Sequence, residues 1–144
     1  MDIHNITIRA ISQATESEDR VRTALSLFLS GEQIEIINTE GHFGNPISIL
    51  QARIKGKDCS RFIELFGSKL SESELNRLKK EVSDRVDDDC TLHIRFDKQA
   101  AYKGTMQLAS TKDAISVEIK LKAYPARQEN AIATAEKIFS KIGN

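Results

Sequence analysis

The chain has 144 residues, 40% of them hydrophobic and 29% charged, with 21 Lys and Arg against 21 Asp and Glu. This composition predicts one soluble domain with a core of ordinary size and excludes a disordered polymer. Zero net charge excludes a globally basic nucleic-acid binder, so affinity for an anionic polymer would have to come from how the charges are arranged.

No apolar run reaches the length of a membrane span, and Asp2, His4 and Asn5 interrupt any signal-peptide pattern at the N-terminus. Cys59 and Cys90 each sit where an apolar residue is expected. They read as buried free thiols rather than a disulfide framework, which predicts a reducing, cytoplasmic compartment.

In chain order, Ile3 to Ala10 alternates as a strand, with Ile6, Ile8 and Ala10 on one face and Thr7 and Arg9 on the other. Thr15 with Glu18 fits a capping box, with Ser17 as a competing N-cap, for a helix carrying Val21, Ala24, Leu25 and Phe28 and ending at Gly31. Gln33 to Asn38 is a second strand with Ile34 and Ile36 inward. A loop with two glycines and a proline, Gly41 to Ile47, leads to a third strand, Ser48 to Lys55, with Leu50, Ala52 and Ile54 inward.

Asp58 can cap a helix whose apolar stripe is Cys59, Phe62, Ile63, Phe66 and Leu70. Ser71 with Glu74 is a capping box for the next helix, with Leu75, Leu78, Val82 and Val86 on its stripe. Thr91 to Phe96 alternates as a fourth strand and stops at Asp97, a good N-cap for one or two helical turns that Gly104 ends. Thr105 to Ala109 reads as a short strand, joined by a hairpin through Ser110 to Asp113 to the strand Ile115 to Ala123. A last helix, from about Arg127, places Ile132, Ala135, Phe139 and Ile142 inward.

Each strand is apolar on one face and each helix on one stripe. The predicted class is therefore α+β, in the order β-α-β-β-α-α-β-β-β-α. It is a single largely antiparallel or mixed sheet, with helices packed on one face and the other face open.

The open face gathers Thr7, Arg9, Gln51, Arg53, Lys55, Thr91, His93, Arg95, Lys120 and Lys122, with Glu35, Glu118 and Glu40 as its acids. Such a face rewards phosphate binding, because each neutralised phosphate releases counterions and arginine offers a matched fork. The same pattern also describes an ordinary solvated antiparallel face. It carries no aromatic residue, so base stacking is not expected there.

Two further stretches have the same double character. In the Gly41 to Ile47 loop the glycines and Pro46 serve a turn, while His42 and Asn45 offer hydrogen bonds to a ligand. In the Asp97 segment, Asp97 caps the turn and Tyr102 packs, or Lys98, Gln99, Tyr102 and Lys103 contact phosphate and sugar. The two stretches are expected to lie close together at strand ends.

His4, His42 and His93 have no metal-ligand spacing, and neither a phosphate-cradling glycine motif nor a nucleophile elbow occurs. No enzyme activity, cofactor or metal is expected. A metal-dependent nuclease would need carboxylates converging with Asp97. A protein-interaction or homodimer module without RNA is the alternative from a different class, although the open face reads as polar throughout.

Three stretches together resemble a known family: Glu40-Gly41-His42-Phe43-Gly44-Asn45-Pro46-Ile47, Phe96-Asp97-Lys98-Gln99-Ala100-Ala101-Tyr102-Lys103-Gly104, and Lys122-Ala123-Tyr124-Pro125-Ala126. The chain resembles, over nearly its whole length, the small archaeal RNA-binding proteins described as predicted exosome subunits. Their fold is similar to the ribosomal protein that binds five-S rRNA. The resemblance implies RNA as partner, with exosome or ribosomal proteins beside it, and no catalytic residue.

Overall fold

Alternating residues make five antiparallel strands in the computed structural model, which describes residues 2–13, 16–40, 44–111 and 113–142. The elements are β1 (Ile3–Ser12), α1 (Glu18–Ser26), β2 (Glu35–Glu40), β3 (Pro46–Lys55), α2 (Asp58–Lys69), α3 (Glu72–Arg85), β4 (Thr91–Asp97), α4 (Lys98–Tyr102), β5 (Ala114–Leu121) and α5 (Gln128–Ser140). The sheet order is β2-β3-β1-β5-β4, and every neighbouring pair is antiparallel. This is the expected α+β class, and the order agrees except that the 105–109 stretch is not a strand of the sheet.

The inward residues of β1, β3, β4 and β5 meet the helix stripes in one core. Its centre is aromatic. Phe66 lies 5.3 Å from Phe62, 5.8 Å from Phe96 and 5.7 Å from Phe139, ring centre to ring centre. Such pairs add about 0.5–1.5 kcal/mol each beyond the burial of their area. Phe66 therefore ties α2 to β4 and α5 at one point. Near the start of β1 the register slips between Ile3 and Asn5, so that Ile3 and Ile6 both face the core although they are three residues apart.

Capping follows the sequence in part. Ser17 and Ser71 cap α1 and α3, accepting from the N–H groups of Arg20 and Glu74. Thr15 lies outside the described residues. Asp58 is the first residue of α2 rather than its cap, where its carboxylate still favours the positive helix end. Glu74 does not close the expected box; its Oε2 accepts from the Leu108 N–H at 2.9 Å. Helix α1 ends at Ser26, and Gly31 follows it in the loop at φ 111°.

The Thr105 to Ala109 stretch is a single antiparallel bridge, Leu108 to Phe96, rather than a full strand. Its partner is β4, not β5, which corrects the hairpin expectation. The Asp97 N–H donates to Gln107 O at 2.8 Å and the Ala109 N–H to Arg95 O at 2.9 Å, so the stretch covers the outer edge of β4. Both cysteines are buried and free, and the Cys59 thiol points at Ile54 O, 3.6 Å away.

Candidate nucleic-acid interface

The register turns the open face into a grid. Across β3, β1, β5 and β4 one row reads Lys55, Asn5, Lys120, Thr91. The next reads Arg53, Thr7, Glu118, His93. A third, starting on β2, reads Glu35, Gln51, Arg9, Ser116, Arg95. Pairing thus brings Arg9, Arg53, Lys55, Arg95 and Lys120 onto one surface from four strands.

These cations differ in how far the fold has engaged them. Arg9 Nε donates to Gln51 Oε1 at 3.2 Å, and Gln51 Nε2 in turn to Glu35 Oε2 at 3.5 Å. Lys120 Nζ donates to the Asp89 carbonyl at 2.5 Å. Arg53, Lys55 and Arg95 are exposed, and among the described residues none pairs with their side chains. His93 is held by acids, with Nε2 2.6 Å from Asp87 Oδ2 and Nδ1 4.0 Å from Glu118 Oε1. Burial pushes the Asp87 carboxyl up, but hydrogen bonds from His93 and from the Thr91 and Asp89 amides outweigh it and hold the group below its ordinary value.

The Asp97 segment is a separate place. Asp97 caps α4, accepting from the Ala100 N–H at 3.2 Å. Lys98, expected to meet phosphate, is 5% exposed. Its ammonium reaches Ile11 O at 2.8 Å, Glu16 Oε2 at 3.0 Å and Asp113 Oδ1 at 2.8 Å. One carbonyl and two carboxylates use its three donors, so Lys98 is an internal tie and not a surface cation. Gln99 and Tyr102 line a cleft of about 420 Å³ with Glu16, Ser17 and Arg20 of the α1 end. The Arg20 guanidinium lies over the Tyr102 ring, 5.3 Å from its centre. Because α1 belongs to the helix layer, this cleft opens beside the helices and does not extend the cationic grid.

Asn45 is exposed just before β3, and Ser48 pairs with Ser12 near the point where Lys98 reaches Ile11. The described part of the first stretch, 44–47, and the Asp97 segment therefore lie at the same end of the sheet, with β1 and β5 between β3 and β4. At about 4.8 Å per strand that separation is about 14 Å. His42 lies outside the described residues. Lys103 is exposed after α4, and Lys122 is exposed one residue past β5, at the opposite end of the sheet.

Three features had no sequence signal. Arg20 joins Tyr102 only through the packing of α1 on α4. Glu16 is placed by Lys98. The open face also carries isoleucines, Ile37 across from Ile49 and Ile49 across from Ile11, so it is not polar throughout. Among the described residues no three His, Cys, Asp or Glu side chains converge as metal ligands, and no helix is long and apolar enough to cross a membrane.

A family model described as RNA binding matches residues 5–121. The chain is 37% identical over 139 residues to the RNA-binding protein PAB1135 of Pyrococcus abyssi, covering 92% of this chain and 90% of that one. A crystal structure of a DUF54 protein from Archaeoglobus fulgidus superposes with a TM-score of 0.86 at 30% identity, covering 94% of this chain and 99% of the other. A second DUF54 structure, from Methanothermobacter thermautotrophicus, gives 0.80 at 34% identity, covering 95% and 98%. The grid of strand-borne cations and the three motif stretches thus sit in a chain that belongs to this RNA-binding family.

Proposed function

We propose that the chain binds RNA on the open face of its sheet, with Arg9, Arg53, Lys55, Arg95 and Lys120 taking backbone phosphates. The observation that carries this reading is that Arg53, Lys55 and Arg95 share one solvent-facing surface and are bound to no acid among the described residues. In a chain of zero net charge, uncommitted cations on one side make a local positive field without a basic protein. Glu35 and Glu118 interrupt that field, which limits the number of phosphates engaged and keeps binding moderate.

Asn45, Gln99, Tyr102 and Lys103 are secondary contacts at the end where β3 starts and β4 stops, and Lys122 is one at the other end. The motif stretches support a role as a cytoplasmic accessory in RNA processing or ribosome-related RNA metabolism, alongside exosome or ribosomal proteins. Recovery of the protein from its host with its RNA and co-purifying chains tests that role, and recovery with neither overturns it. Binding itself is tested with structured RNA on filters at two ionic strengths. Affinity should fall steeply with salt. No binding at low salt, or binding indifferent to salt, defeats the assignment.

A further inference from the structure

The two outer strands of the sheet are finished differently. The 105–109 stretch covers β4, and Glu74 holds that cover through Leu108. Nothing among the described residues pairs with the outer side of β2, and five of its six residues are exposed. A bare edge presents unpaired N–H and C=O groups that invite another strand. Chains usually block such an edge with a lysine, a proline or a bulge at mid-strand. Ile37, Asn38 and Thr39 supply none of these, and the acids Glu35 and Glu40 stand only at the ends.

Beside this edge lies the apolar row of the open face. Ile37 and Ile11 are 40% and 39% exposed, with the half-buried Ile49 between them. We infer that β2 is the seam of a homodimer, pairing antiparallel with β2 of a second copy about a two-fold axis through Ile37. In that register Ile37 faces the copy's Ile37, Glu35 faces Thr39, and Ile36 faces Asn38. No like charges oppose, and the isoleucine row runs unbroken from one copy into the other. An axis through Glu35 or Glu40 would set two carboxylates against each other, which is destabilising. The strand is therefore complementary to itself, and that selects a second copy over an unrelated partner. Both helix layers stay on one side of the joined sheet and both cationic faces on the other.

Light scattering measures the mass at up to about 100 μM protein, the range suited to a small strand-edge interface. The expected mass at the top of that range is twice the chain's 16.1 kDa. Ile37→Lys should return the monomer mass while the circular dichroism spectrum stays unchanged. Thr39→Glu sets an acid against the copy's Glu35 and should weaken the dimer roughly tenfold, because the pair occurs twice across the axis. Thr39→Lys should tighten it by a similar factor. A monomeric wild type, a dimer that survives Ile37→Lys, or equal masses for the two Thr39 variants overturns the inference. So does an Ile37→Lys variant that loses RNA affinity while the wild-type mass is already that of a monomer, since the row would then serve RNA.

Discussion

The Asp97–Tyr102 connection and the open face both carry cations on a strand or next to one, yet the fold uses them oppositely. At Lys98 it supplies a carbonyl and two carboxylates within 3.0 Å, and the charge is consumed inside the protein. At Arg53 and Arg95 it supplies none among the described residues, and the charge stays available to solvent and ligand. A cation's availability for binding is thus decided by the acceptors that packing brings to it. Its residue type and local sequence do not decide it.

Substitution of Lys98 tests this contrast most severely. Lys98→Met should cost about 2–3 kcal/mol of stability in urea unfolding, because the ammonium's bonds to Ile11 O, Glu16 and Asp113 are lost and two carboxylates lose their cation. RNA affinity of the folded variant should be unchanged. A variant of normal stability with weakened RNA binding would erase the distinction between the two regions.

On the open face the effects should be reversed. Arg53→Ala with Arg95→Ala should leave stability within about 0.5 kcal/mol, since both side chains are exposed. The pair should weaken binding to every RNA and lower the slope of affinity against salt by about 2, one for each phosphate contact.

Tyr102→Ala sharpens the boundary between the regions. Loss of the Arg20 contact should cost about 0.5–1 kcal/mol of stability, as for an exposed cation over a ring. The salt slope should not move. Discrimination among RNAs should change, as for a secondary contact, and unchanged discrimination would detach the cleft from the binding surface.

The smallest effect concerns Asp87. Its carboxyl sits below the ordinary value of 3.8 in the folded chain, so its ionised form stabilises the fold above that value. Thermal melting of Asp87→Asn beside the wild type should show the wild type ahead above about pH 4, with the gap closing as pH falls through the folded-state value. A gap independent of pH would mean that Asp87 acts by shape alone.

Much of the fold was legible because its periods are clean. The Ile115 to Leu121 alternation and the Phe62, Ile63, Phe66 stripe each permit one assignment. The Thr105 to Ala109 alternation promises more than the fold delivers, because one bridge to β4 and a helix carboxylate hold it without a strand's ladder. The isoleucine row was hidden because Ile36 and Ile37 are adjacent, as are Ile49 and Leu50. Such runs put apolar side chains on both faces, and only the pairing register says which are exposed. Within the candidate site, the alternation placed Arg9, Arg53 and Arg95 on one face without structural help. The fate of Lys98 was illegible, because Glu16 and Asp113 lie far from it in sequence and only the packing of β1, α1 and β5 brings them near.

The position of β1 bears on how the chain is made. It precedes the other four strands of the sheet in the chain and lies in the middle of that sheet, with Ile3 paired to Leu121. Its bonds to β3 can form early, but its other side waits until β5 has been translated. Until β5 arrives, a nascent chain therefore holds β1 with one side open and exposed to mispairing. Truncation before Ala114 should leave a chain that remains with chaperones, whereas one ending just past Ile142 can close its sheet.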